Sequence, residues 1–208
     1  MTLAMQRSGH SDLTPREAAD RLAIRELVDA YAHCADRRDV VGQMSLFTAD
    51  TEFLVYMDSR NPVPTQEIRG RDSLRPVFEN LSAYEATTHF NGQSTVTWVQ
   101  DAATGVSYCL AHHVKVDGQN RSLMIASIRY LDQFVKMDGH WYFRQRKLMV
   151  DWIDNRPLAP ANALPHDSRS VFQRPRQRGQ IHDRSCIRVA AGMTRSPTEK
   201  IADDGAGF

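Results

Sequence analysis

The chain contains a tyrosine, an aspartate and a histidine whose types and predicted positions suit acid–base chemistry. Tyr31 and Asp36 lie near the end of a predicted helix, and His89 lies in a predicted strand. Histidine has an ordinary pKa of about 6.5, so a neutral imidazole can accept a proton near pH 7. A carboxylate bonded to one ring nitrogen fixes the tautomer and stabilises the imidazolium, and a tyrosine hydroxyl can donate to a carbonyl or a leaving oxygen. An elimination requires groups of these kinds.

Each of these residues also has a purely structural interpretation. Asp36 could be a solvated charge beside Arg37 and Arg38, because a carboxylate in the last helical turn is disfavoured by up to about 1 kcal/mol. Tyr31 could be a core aromatic residue, and the polar strand face that carries His89 could face solvent. Five helical residues turn by about 500°, which separates Tyr31 and Asp36 by about 140°. The two cannot both face one pocket from a straight helix, so we expect the helix to end or loosen before Asp36.

Two further residues are candidates for contact with a bound molecule. His113 shares a predicted strand face with small residues, which leaves room for a ligand. Arg146 could reach an anionic substrate group or could bridge to a neighbouring carboxylate. His112 and His113 are adjacent on a strand and point to opposite faces, so they cannot ligate one metal ion. The sequence has no glycine-rich phosphate loop, metal-ligand spacing or nucleophile elbow, so we expect chemistry without a cofactor or a metal.

The elements that must position these residues begin with an amphipathic helix over residues 14 to 36. Thr14 and Pro15 provide an N-cap and a proline at the first helical position, and apolar residues then recur at three- and four-residue spacing. Asp39 caps a predicted second helix that runs through Phe47. The elements predicted next are a strand over 51 to 56, a short strand over 66 to 69 and a third helix after residue 73.

From residue 87 onward the apolar pattern has period two, which is typical of strands. The predicted strands are 87 to 99, 105 to 116, 122 to 136 and 140 to 153. Asp-Gly dipeptides at Asp117 and Asp138 indicate tight hairpins and therefore an antiparallel meander. Long strands twist, so a sheet with helices on one face becomes a cone with a hollow. The predicted fold is an α+β cone, with a strongly curved, mostly antiparallel sheet packed against about three N-terminal helices that enclose a pocket.

The composition is that of an ordinary globular chain of 208 residues, with 41% hydrophobic and 25% charged residues. We expect a flexible N-terminus over 1 to 13, one domain over 14 to 155 and a weakly structured basic tail over 156 to 208. The net charge of +1 argues against a nucleic-acid partner. The lack of a signal-peptide core, long apolar runs and paired cysteine motifs predicts a cytoplasmic protein with reduced thiols and no membrane partner.

The sequence resembles the SnoaL-like branch of the NTF2-like superfamily over about residues 16 to 155. The resemblance rests on Tyr31 and Asp36, on the segments 46 to 50, 70 to 72, 88 to 90 and 138 to 141, and on Arg146 and Trp152. The pattern is most similar to the group that contains scytalone dehydratase, hexachlorocyclohexane dehydrochlorinase and bile acid 7α-dehydratase. In that group a helix-end aspartate pairs with a strand histidine, often helped by a tyrosine one turn earlier.

The resemblance implies a cofactor-independent lyase or isomerase, of dehydratase or dehydrohalogenase type, that acts on a small cyclic, apolar substrate. It implies catalytic roles for His89, Asp36 and Tyr31. The residues expected to contact substrate are Phe53, Tyr56, His113, Arg146 and Trp152. It also implies a homo-oligomer, either a trimer or a dimer. An isomerase similar to ketosteroid isomerase is the second enzymatic possibility. The other class is a non-catalytic accessory or oligomerisation subunit, similar to the β subunits of ring-hydroxylating dioxygenases, which has no reason to keep all three catalytic residues.

Overall fold

A computed structural model describes residues 14–159, apart from the side chains of Trp98 and Val99. The helices and strands of this range are α1 Pro15–Arg37, α2 Val40–Ser45, β1 Phe47–Tyr56, β2 Gln66–Arg69, α3 Arg75–Glu79, β3 Ala86–Val99, β4 Ala102–Asp117, β5 Asn120–Met137 and β6 His140–Leu158. Short 3₁₀ turns flank α3 at Arg71–Leu74 and Asn80–Ala83. The predicted flexible N-terminus, and the predicted tail from residue 160 onward, lie outside the described residues.

Helix α1 begins and ends close to the positions that its sequence predicts. The Thr14 side chain accepts a hydrogen bond from the backbone N–H of Glu17 at 3.2 Å, as an N-cap does. The apolar stripe of α1 is buried and packs toward β3 and β6. The helix ends after Arg37 because Arg38 adopts the left-handed conformation, with φ of 60°.

The six strands form one sheet in the order β2-β1-β6-β5-β4-β3. Strands β3 to β6 form the predicted antiparallel meander, β2 pairs antiparallel with β1, and β1 pairs parallel with β6. The turn at Asp138 and Gly139 has two positive φ angles, as a tight Asp-Gly hairpin requires. Strand β4 begins three residues before its predicted start, and β6 continues to Leu158, beyond the predicted domain end at residue 155.

The second helix is shorter than predicted, and the first strand is correspondingly longer. Helix α2 ends at Ser45, and Phe47 already belongs to β1. The backbone N–H of Phe143 donates to the carbonyl of Leu46 at 2.9 Å, so pairing with β6 fixes the chain as a strand at this point. This long-range pairing outweighs local helical preference, which is weak in so short a segment.

The helices lie on one face of the sheet and bury an aromatic core against it. Five rings contact one another with centroid separations of 5.0 to 6.2 Å; they belong to Tyr31, Phe47, Phe53, Phe78 and Phe143. Beside this core, space remains between the helices and the sheet. The fold is the α+β cone that the sequence predicts. No helix within the described range is long and apolar enough to cross a membrane.

Candidate active site

The end of α1 and the start of β3 bring Asp36 and His89 into direct contact. The Nδ1 atom of His89 lies 2.7 Å from Oδ1 of Asp36, and the backbone N–H of His89 donates to Oδ2 at 2.9 Å. An ionised carboxylate only accepts hydrogen bonds, so Nδ1 must carry the ring proton. In the neutral imidazole Nε2 is then the basic atom. This atom makes no hydrogen bond to any residue that the structure describes.

Two neighbours hold the Asp36 carboxylate in place. The Thr87 hydroxyl donates to Oδ1 at 2.9 Å, and the Arg38 guanidinium donates to Thr87 Oγ1 at 2.7 Å and to the carbonyl of Ala35 at 2.8 Å. Arg38 therefore also compensates the negative end of α1. Burial alone would raise the pKa of Asp36, but the hydrogen bonds from His89 and Thr87 outweigh it and hold that pKa below its ordinary value. Asp36 is therefore ionised near neutral pH.

The prediction that α1 ends or loosens before Asp36 is wrong, because the helix is continuous through Arg37. Tyr31 and Asp36 do not need to face the same space. Tyr31 faces the cavity beside the core, whereas Asp36 faces β3, and His89 connects the carboxylate to the cavity. Burial raises the pKa of Tyr31 to about 12, so its hydroxyl stays protonated and can donate.

A cavity of about 220 Å³ lies between the helices and the sheet. The His89 side chain reaches it and is only 7% exposed, so it does not point into bulk solvent. Most of the lining is apolar and includes Phe53, Val55, Phe78, Ile128, Leu148 and Val150. Lysine, arginine, aspartate and glutamate are missing from the lining residues that the structure describes. The cavity is therefore suited to a small, uncharged and largely apolar molecule.

His113 lies in the cavity beside His89, at the place where the sequence predicts a ligand contact. The two rings meet edge to face, with centroids 5.4 Å apart. Burial, followed by repulsion from the positive charge that His89 carries when protonated and from Arg38, lowers the pKa of His113 to about 4. The ring is therefore neutral near pH 7. Its Nδ1 atom has no hydrogen-bond partner within residues 14–159.

Arg146 lies beneath the cavity and does not line it, so the predicted contact with substrate is wrong. Its guanidinium is fully buried and makes two hydrogen bonds of 2.8 Å to the Asp132 carboxylate. It also stacks between aromatic rings, 4.0 to 4.2 Å from the ring centroids of Tyr31, Tyr130 and Phe143. The alternative prediction for Arg146, a bridge to a neighbouring carboxylate, is confirmed by its contact with Asp132.

Trp152 also fails to line the cavity, because β-bulges interrupt the alternation of β6. The pairing of β6 with β5 skips Arg144 and Asp151. Each extra residue moves the following side chains to the other face of the sheet. Ile153 consequently lines the cavity, and Trp152 turns outward with 52% of its surface exposed.

The two predicted contacts on β1 divide between the faces of the strand. Phe53 and Val55 line the cavity. Tyr56 follows Val55 directly and therefore points to the opposite face, where it is buried away from the cavity. The substrate contact of Phe53 stays a prediction, whereas Tyr56 does not line the cavity and its predicted contact is wrong.

Sequence reasoning missed Gln43, which lines the cavity from α2. The residue is 1% exposed, and its Nε2 atom has no hydrogen-bond partner in the described part of the chain. The available signal was its place in α2: Gln43 follows Val40 by three positions and precedes the buried Met44, so it lies on the inward side of the helix. A buried amide at such a position requires a partner.

The described cysteines and metal-ligating residues offer no second reactive centre. Burial raises the pKa of Cys109 to about 12, so this thiol is not activated as a nucleophile. Within residues 14–159, His, Cys, Asp and Glu side chains do not converge in groups of three or more that could hold a metal ion.

Solved structures share this fold. A protein from Novosphingobium aromaticivorans DSM 12444, described provisionally as a scytalone dehydratase, is 23% identical with a TM-score of 0.59, and the match covers 71% of this chain and 95% of that chain. A hexachlorocyclohexane dehydrochlorinase from Novosphingobium barchaimii LL02 is 20% identical with a TM-score of 0.55, covering 68% and 92%. A Mycobacterium tuberculosis protein of unknown function is 24% identical with a TM-score of 0.57, covering 67% and 78%. These likenesses establish the fold.

The comparison with curated proteins found no match. A family model described as a SnoaL-like domain matches residues 16–147, which is more than half of the chain. This match includes Tyr31, Asp36 and His89, and it confirms the family that the sequence suggests. The chain therefore belongs to the SnoaL-like domain family.

Proposed function

We propose that this protein is a cofactor-independent lyase or isomerase in which His89 removes a proton from a small cyclic, largely apolar substrate. The observation that supports this proposal most strongly is the 2.7 Å hydrogen bond between Asp36 and a histidine whose ring reaches the cavity. Structural neighbours described as a dehydratase and a dehydrochlorinase support a reaction of the elimination class. They do not select among dehydration, dehydrohalogenation and isomerisation.

In the proposed reaction Nε2 of His89 accepts a proton from a substrate carbon. The electron pair of the broken C–H bond forms the new double bond, and the leaving group departs from the neighbouring carbon. The Asp36 carboxylate stabilises the imidazolium that forms, since it already bonds Nδ1–H. A halide departs without a proton, whereas hydroxide leaves as water after taking a proton from an acid such as the Tyr31 hydroxyl. In an isomerisation the imidazolium returns its proton to another carbon.

The cavity supports this chemistry because it excludes water. Its apolar walls keep water from competing with the substrate, and electrostatic interactions inside it are weakly screened. Tyr31 is buried and protonated, and His113 is neutral. The Asp36–His89 pair is therefore the main group in the site that can stabilise the charge that develops during the reaction. A non-catalytic accessory subunit would need none of these features.

A panel of cyclic alcohols, cyclic halides and unsaturated cyclic ketones incubated in D₂O tests the proposal. Proton NMR reports loss of the leaving group, migration of a double bond or incorporation of deuterium. We expect wild type to convert one class of compound and His89→Ala to lose that conversion by about 10²- to 10⁴-fold. Conversion that is independent of His89 would contradict the proposed base. A panel left unchanged by wild type would favour the accessory-subunit alternative.

A further inference from the structure

Gln43 presents a buried amide to the cavity without a partner. Its side chain is 1% exposed, and its Nε2 atom makes no hydrogen bond within the described residues. A buried amide donor that remains unpaired destabilises the folded state. Methionine has nearly the same size without that penalty, and the next residue of α2 is in fact the buried Met44. The amide is therefore explained better by a ligand than by packing.

Gln43 and the two histidines reach the cavity from different elements. Helix α2 packs against α1, α3 and β1, whereas His89 and His113 project from β3 and β4. In the sheet, β1 and the β3–β4 pair are separated by β6 and β5. A molecule held between Gln43 and His89 would therefore have a fixed orientation, with its reacting carbon at one end and the group bonded to the amide at the other.

The chemistry of the lining indicates what that group is. An Nε2 amide donates, so its partner is a hydrogen-bond acceptor. The described lining contains no lysine or arginine that would neutralise a carboxylate or a phosphate, and desolvating such a charge in this cavity would be costly. A neutral carbonyl oxygen satisfies the donor without this cost.

We infer that Gln43 binds a substrate carbonyl, and that the substrate is a small cyclic ketone whose reacting carbon lies toward His89. This inference rests on the proposed function for the identity of the reaction, but the binding step can be tested without turnover. The matched probes are α-tetralone and tetralin, which share a bicyclic skeleton and differ in the carbonyl oxygen.

Isothermal titration calorimetry would give the dissociation constants of both probes for wild type, Gln43→Met and the control Gln66→Met. Gln66 lines the same cavity but is exposed at the surface. We expect the ratio of tetralin to α-tetralone dissociation constants to fall by about five- to tenfold in Gln43→Met, the range that one buried hydrogen bond commonly contributes. Gln66→Met should keep the wild-type ratio. Gln43→Leu is a second apolar replacement, and thermal melting of each variant checks that the protein is folded.

An unchanged ratio in both Gln43 variants would overturn the inference, as would an equal loss in Gln66→Met. This binding result can be interpreted independently of the proposed reaction, because no proton is transferred during binding. His89→Ala is expected to keep the preference for α-tetralone while losing turnover. If His89→Ala loses the preference and Gln43→Met keeps it, the carbonyl is bound by the dyad and the inference about Gln43 is wrong.

Discussion

At the scale of single residues, two histidines in one cavity have different environments and therefore different properties. His89 is bonded through Nδ1 to an ionised carboxylate, which prepares Nε2 to accept a proton. His113 has no such partner among the described residues, and burial keeps it neutral. The sequence contains the same residue type at both positions. The difference comes from Asp36, which α1 presents to one strand only.

His113 should make the folded protein sensitive to mild acid. Its pKa is about 4 when folded and about 6.5 when unfolded, so between these values the unfolded chain binds the extra proton. Stability should therefore fall as the pH falls from about 6.5 toward 4. Melting temperatures at pH 7 and pH 4.5 should differ less in His113→Asn than in wild type.

His33→Asn is the control for this measurement, because His33 is exposed. Asp36 also makes stability depend on pH, but in a more acidic range. The stability that its lowered pKa contributes is complete above the unfolded pKa of about 3.9 and is lost as the pH falls through the folded pKa. An equal acid response in wild type and His113→Asn would contradict the assignment of this effect to His113.

At the scale of secondary structure, the sequence predicts which elements exist better than it predicts which side chains share a face. Period-two patterns and Asp-Gly turns are local, so the meander could be predicted from them. The pairing of Asp36 on α1 with His89 on β3 was implied only by the family resemblance. The bulges at Arg144 and Asp151 depend on pairing between strands, and no local pattern shows them. For this reason the sequence predicts Trp152 in the cavity and does not predict Ile153 there. The local sequence likewise predicts a helix at Phe47, because the strand pairing that makes this residue part of β1 is long-range.

The buried pair of Arg146 and Asp132 joins β6 to β5 beneath the cavity and should contribute strongly to stability. Arg146→Met leaves the Asp132 carboxylate buried without its partner, which should cost about 3 to 5 kcal/mol of the free energy of unfolding. Urea denaturation measures this loss. The double variant Arg146→Met with Asp132→Leu should recover most of it, because no buried charge remains.

The exposed pair of Arg60 and Asp58 provides a matched control. Arg60→Met should cost far less of the free energy of unfolding than Arg146→Met, as is usual for ion pairs in solvent. A loss of similar size for Arg146→Met and Arg60→Met would show that burial does not govern the strength of the inner pair.

At the scale of the whole molecule, the outer face of the sheet carries a row of apolar side chains. Phe90 pairs with Leu110, Leu110 with Ser127, and Ser127 with Trp152, so the row crosses four strands in register. Phe90, Leu110 and Trp152 are 67%, 39% and 52% exposed. Exposed apolar side chains that lie together commonly mark a contact surface. We propose that this row forms the contact between copies of the chain in the expected homo-oligomer.

Trp152→Glu should therefore weaken self-association. A carboxylate placed in the middle of an apolar contact would be desolvated without a partner. Sedimentation velocity at micromolar concentration should show a dimer or trimer for wild type and a shift toward monomer for Trp152→Glu. Met137→Glu, at an exposed apolar residue outside this row, should keep the wild-type assembly. A monomeric wild-type protein would contradict the proposal.

The most direct test of the proposed dyad is a double-mutant cycle in turnover of the compound that the wild-type protein converts. His89→Ala should lose about 10²- to 10⁴-fold, Asp36→Asn should be severely impaired, and the double variant should be little worse than either, because the two residues act as one unit. Tyr31→Phe should be milder, since the base remains. If His89→Ala turns over substrate at nearly the wild-type rate, or if the losses of the two single variants multiply, His89 and Asp36 do not act as the base and its orienting carboxylate.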